Sequence, residues 1–154
     1  MSYDFVVFDP KLAPVERAPL ESWLSRQHPA ADYRNIDSLP SALSEADTTA
    51  GLRSWLTDME SEGWSESPTE AHKTLASEIR PASIYCNVDW PSAVAAWTAA
   101  VKFCRSHALG IVDISEMGII SFAPDGTERV WPTAERPSGG ADIEVNTILP
   151  PGKS

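Results

Sequence analysis

Residues 82–122, ASIYCNVDWPSAVAAWTAAVKFCRSHALGIVDISEMGIISF, decide the fold. Ile84 to Val88 alternates: residues 84, 86 and 88 are apolar on one face and Tyr85 stands on the other, the pattern of a strand. Pro91 suits the first position of a helix, since its missing N–H would be unpaired there anyway. Val94, Trp97, Val101, Cys104 and Ala108 then recur at three- and four-residue steps, which predicts one buried helical face. Ala93, Ala96 and Ala100 are small enough to let that helix approach a sheet closely. Lys102, Arg105 and His107 lie in its last turns, where cations complement the helix dipole, and Gly110 reads as its left-handed cap. Two further apolar runs, Ile111–Ile114 and Ile119–Phe122, flank Ser115-Glu116-Met117-Gly118, a loop of hairpin length. The segment therefore reads as strand, helix, strand, strand. The first two strands are expected to join by a right-handed parallel crossover, with the last folding back antiparallel.

Upstream, Tyr3–Phe8 (YDFVVF) is β-branched and aromatic and is closed by Asp9-Pro10, which predicts a first strand. Pro14 and Pro19 bracket the entry to a short helix with the stripe Leu20, Trp23 and Leu24, ended by His28-Pro29. Residues 30–46 read as loop. With Thr48 or Thr49 as N-cap, Leu52, Trp55, Leu56 and Met59 fall on one helical face, and Gly63 is placed to stop it. Residues 64–81 read as an exposed connection, with a helical turn or two over 71–78. Beyond the turn at Pro124-Asp125-Gly126, Trp131 is a candidate to pack back on the domain. The expectation is one α/β (α+β) domain over residues 1–132, in the order β-α-α-β-α-β-β. It has a mixed sheet of about four strands and helices mainly on one face. Residues 133–154 are expected to form an arm, either loosely held or contributing an edge strand at 143–148.

At 154 residues the chain has the length of one domain, and its apolar content of 42% with six Trp is enough to build a core. The formal charge of −10 argues against nucleic acid and anionic membrane surfaces and favours a basic partner. The opening MSYDFVVFDP lacks the basic start of a secretion signal, and no apolar run reaches the roughly 20 residues of a membrane span. A cytoplasmic location is expected, in which Cys86 and Cys104 are buried reduced thiols.

No chemistry-bearing motif stands out. His28, His72 and His107 lack a second ligand at metal-pair spacing, so neither a metal nor another cofactor is expected. Cys104 and His107, three apart on the long helix, invite a thiol–imidazole dyad, but the stripe places Cys104 in the core. Asp89 precedes Trp90-Pro91 at the carboxyl end of a strand, where open α/β sheets present ligands, though helix capping accounts for it as simply. Asp113 lies within an apolar strand and is expected to face solvent. Asp89, Trp90 and Asp113, joined by Cys104, form the site of the alternative reading, a small enzyme. A homo-oligomer built on the edge of the last hairpin is a third.

What rises above this background is charge placement. Between residues 45 and 70, seven carboxylates (Glu45, Asp47, Asp58, Glu60, Glu62, Glu66 and Glu70) face the single cation Arg53. Asp58 and Glu62, four apart on a helix, repel one another by a few tenths of a kcal/mol, about the scale of such pairs, so the helix alone gains nothing from them. Such runs are often no more than a solvated face. The sharper reading is a docking surface for a basic protein, formed by Asp58, Glu60, Glu62, Glu66 and Glu70, with Trp64 as an aromatic anchor.

The opening YDFVVFDP, the helical Leu52-Arg53-Ser54-Trp55 and the run IYCNVDWPSAVAAWTAAVKFCRSHALGIVDIS together resemble a group of small, largely uncharacterised bacterial cytoplasmic α/β proteins. Some similar small acidic proteins serve as immunity proteins that neutralise a secreted toxin domain. The resemblance spans about residues 3–122. It implies a protein-binding inhibitor and supplies no catalytic residue.

Overall fold

The computed structural model describes residues 2–27, 47–69, 71–115 and 118–131. The arm expected at 133–154, the edge strand at 143–148 and the loop at 30–46 lie outside the described residues. The described chain runs β1 (Ser2–Phe8), α1 (Arg17–Gln27), α2 (Ala50–Ser61), β2 (Leu75–Ile79), β3 (Ser83–Asp89), α3 (Ala93–His107), β4 (Gly110–Asp113), β5 (Ile119–Phe122) and β6 (Glu128–Trp131). The strands form one six-stranded sheet in the order β2-β3-β1-β4-β5-β6. Every neighbouring pair is antiparallel.

The fold is thus α+β, as the sequence implies, but its sheet differs from the expected one in two respects. First, among the described strands no two neighbours are parallel. β3 and β4 do run in the same direction, joined through α3, yet β1 lies between them and pairs antiparallel with both. The reason is in β1 itself: all of Tyr3 to Phe8 is buried, and a strand apolar on both faces belongs in the middle of a sheet. Second, two strands were not foreseen. β2 occupies the segment read as an exposed connection, and β6 returns from the turn at 124–126 to pair with β5. Gly126 takes φ 89° in that turn, and Asp125 accepts a hydrogen bond from the Thr127 N–H at 2.9 Å. Among the described residues the helices do lie mainly on one face, two against one. α2 and α3 pack on the side of Tyr3, Phe5 and Val7, whereas Leu20 and Leu24 of α1 close over Val6, Phe8, Val112 and Ile119 on the other.

The larger core layer is built on aromatic rings. Phe5 meets Trp55 and Trp97 edge-on at centroid distances of 6.5 and 6.2 Å, and Tyr3 meets Trp97 at 6.2 Å. Trp55 donates its indole N–H to the Ala100 carbonyl at 3.1 Å, tying α2 to α3. α2 starts as expected: the Thr49 hydroxyl accepts from the Leu52 N–H at 3.3 Å. Gly63, at φ 102°, ends the helix.

The end of α3 is a correction. The left-handed cap is Ala108, at φ 57°, and the Leu109 N–H returns to the Cys104 carbonyl at 2.9 Å. Gly110 is needed instead as the first residue of β4, directly opposite Phe8, whose ring lies across it. Arg80, only 8% exposed, donates to the Gln27 carbonyl at the end of α1 at 3.3 Å and pairs with Glu78 at 3.3 Å. It thereby links α1 to the β2–β3 turn. No helix among the described residues is long and apolar enough to cross a membrane.

Candidate functional site

The acidic docking surface expected from the sequence is built on α2, whose buried face (Leu52, Trp55, Leu56 and Met59) turns the intervening polar residues outward. At the edge next to α3, two of them reach across to that helix. The Asp58 carboxylate is 2.6 Å from His107 Nε2, and the Glu62 carboxylate is 2.5 Å from Lys102 Nζ. As α2 runs from Asp58 to Glu62, its partners descend from His107 to Lys102, so the helices lie antiparallel and the pairs form a ladder across them. Lys73 adds a second cation beside Glu62, donating to its backbone carbonyl at 2.6 Å. The two carboxylates that repel within α2 are therefore each answered from outside it. The correction is physical: charge counted along the chain was −6 over residues 45–70, but Lys73 and Lys102 bring positive charge to α2 from outside that window, and the His107 imidazole contacts Asp58.

Two candidates remain outside that ladder. Glu60 and Glu66 are exposed, and among the described residues neither makes an ion pair. Glu70 lies outside the described residues. Trp64 is not an exposed anchor: it is 2% exposed and belongs to the core under α2, with Lys73 Nζ 5.9 Å from its ring centroid. The Trp64 N–H bonds back to the Met59 carbonyl at 3.0 Å, which folds the indole under the helix that Gly63 has just ended. A bulky aromatic next to a helix stop and a strand is drawn into the core by the area it can bury.

Because the Glu62–Lys102 ion pair is partly exposed, it contributes little to stability. A double-mutant cycle on Glu62→Gln and Lys102→Met is expected to return about 0.2–1 kcal/mol, falling toward zero at 1 M salt. A salt-independent coupling well above that range would mean that the pair is structurally fixed rather than solvent-screened.

The residues of the alternative enzyme reading are brought to one end of the sheet but not together. Asp89 is exposed at the end of β3 and makes no side-chain capping bond to the 3-10 turn Trp90–Ser92 that follows. Trp90 is partly buried, its ring 5.8 Å from that of Tyr3. Asp113 is buried, against the expectation that it faces solvent; its Oδ1 accepts the Ser115 N–H at 2.8 Å, closing the turn after β4. Asp89 stands opposite Ser2 and Asp113 opposite Phe5. Side chains alternate along β1, so the two carboxylates point to opposite faces and the sheet separates them. They cannot share a substrate as an acid–base pair.

Cys104 does not join a dyad either. Its sulfur lies 3.9 Å from the Gly110 carbonyl in the core, whereas His107 is turned to Asp58. Burial pushes both thiols well above their ordinary pKa; the Asp4 carboxylate adds to this for Cys86, and Cys86 for Cys104. A buried, neutral thiol is a poor nucleophile. Neither cysteine is expected to react with a thiol reagent in the native protein, and both should react on unfolding; rapid native labelling would contradict the placement. The folded-state pKa of each is raised, so the stabilisation is present below the unfolded thiol pKa of about 8.5 and is lost as pH climbs above it. The urea midpoint is expected to decline above that pH, and less so in the Cys86→Ala/Cys104→Ala variant.

One cluster was missed from the sequence. Asp4, 8% exposed, accepts hydrogen bonds from the Tyr85 hydroxyl at 2.6 Å and from the Asn87 side-chain amide. Asn87 is its directly opposed neighbour on β3, and Tyr85 is the diagonal one. The signal was present in YDFVVF, where a lone Asp interrupts an apolar strand, but its donors lie more than eighty residues away. The buried carboxylate is thus hydrogen-bonded by a hydroxyl and an amide donor, as a polar group inside a sheet has to be. Among the described residues, no group of three or more His, Cys, Asp or Glu side chains could hold a metal ion.

No protein-family model, curated protein or solved structure matches the chain.

Proposed function

We propose that this protein works by binding rather than by catalysis, as an inhibitor that lays an acidic surface over a basic protein partner, in the manner of an immunity protein neutralising a toxin domain. The observation that carries this reading is the charge excess. The chain holds 22 carboxylates against 12 Lys and Arg, a balance that steers a cationic protein toward it and rejects anionic competitors. The docking surface is narrower than the cluster of seven. It is centred on Glu60 and Glu66, the exposed carboxylates outside the α2–α3 ladder, with Asp58 and Glu62 at its edge. An interface of ordinary size, about 1,600 Å² in total, fits a domain of this length. A cytoplasmic location belongs with this reading, since two free buried thiols are at home in a reducing compartment.

The test is kinetic. The partner is recovered by affinity capture from the native cells, and its association with the wild type and with Glu60→Lys/Glu66→Lys is followed at low and high salt. Charge reversal is expected to slow association several-fold at low salt, with the difference disappearing at high salt and the dissociation rate little changed. Association that ignores both salt and the double reversal would overturn the acidic-docking reading.

A further inference from the structure

We draw no further inference here: the strongest candidate, the exposed apolar turn that Leu12 and Val15 form between β1 and α1, carries nothing because no feature of the structure shows what covers it.

Discussion

Replacing Trp55 by alanine is expected to cost about 3–5 kcal/mol, the range for deleting a large buried aromatic. Trp55 is wholly buried, meets the Phe5 ring edge-on, and holds α3 through its bond to the Ala100 carbonyl. Its removal opens a cavity between the two helices and the central strand at once. Against a total stability of about 5–15 kcal/mol for a domain, such a loss leaves a marginal or unfolded protein. Trp55→Phe separates the contributions, because it keeps most of the ring volume and removes the indole donor; about 0.5–1.5 kcal/mol is expected from the hydrogen bond, plus a smaller packing loss. Urea unfolding followed by far-UV circular dichroism measures both. A Trp55→Ala variant with an unchanged midpoint would mean that α2 does not pack on β1 as described.

Gly110→Ala is the second large effect, and here the sign has to be argued. In an extended strand, exchanging Gly for Ala ordinarily stabilises by about 0.4–1 kcal/mol, through the lost freedom of the unfolded chain. At this position, however, the added Cβ would stand 2.3 Å from Phe8 Cζ and 2.6 and 2.7 Å from its Cε atoms. Carbon atoms at rest sit about 3.5–4.0 Å apart, so the ring must move by more than an ångström. It has little room to do so, since Phe8 is 1% exposed and Trp23 of α1 stands edge-on to it at 6.2 Å. Overpacking of this kind costs about 1–3 kcal/mol, and the upper part of that range is expected. Phe8→Leu in the same chain should recover part of the loss. Coupling of at least about 1 kcal/mol between the two substitutions is the signature of a direct clash. Strictly additive effects would show that Gly110 matters for some other reason.

These expectations rest on contacts of unequal legibility in the sequence. Local chemistry was readable. Thr49 caps α2, Gly63 stops it, and the run 111–122 forms a hairpin, because each depends on residues within a turn or two of chain; of the stripe expected on α3, Trp97, Val101 and Cys104 face inward, whereas Val94 is exposed and Ala108 is the cap beyond the helix. Strands at 75–79 and 128–131 were not readable, since Ser77, Glu78 and Arg129 lack strand preference and are held by the partners they pair with. The candidate site suffered similarly. Trp64 looked like a surface anchor because polar residues surround it in the chain, and only the tertiary fold, which joins it to the core cluster holding Met59 and Leu75, buries it.

What the sequence by itself determined is the class of the fold, helices and strands around a large aromatic core, and the excess of carboxylates over Lys and Arg. Periodicity and charge are sums over neighbouring residues, and they survive without knowledge of the fold. What only the tertiary structure decided is which charges remain available and which groups meet. Asp58 and Glu62 are answered by His107 and Lys102, Asp89 and Asp113 are parted by the sheet, and Asp4 is joined to Tyr85 and Asn87. Each outcome depends on strand order and helix register. Both are set by the burial of β1 on its two faces, which placed it at the centre of the sheet and brought helices to each side.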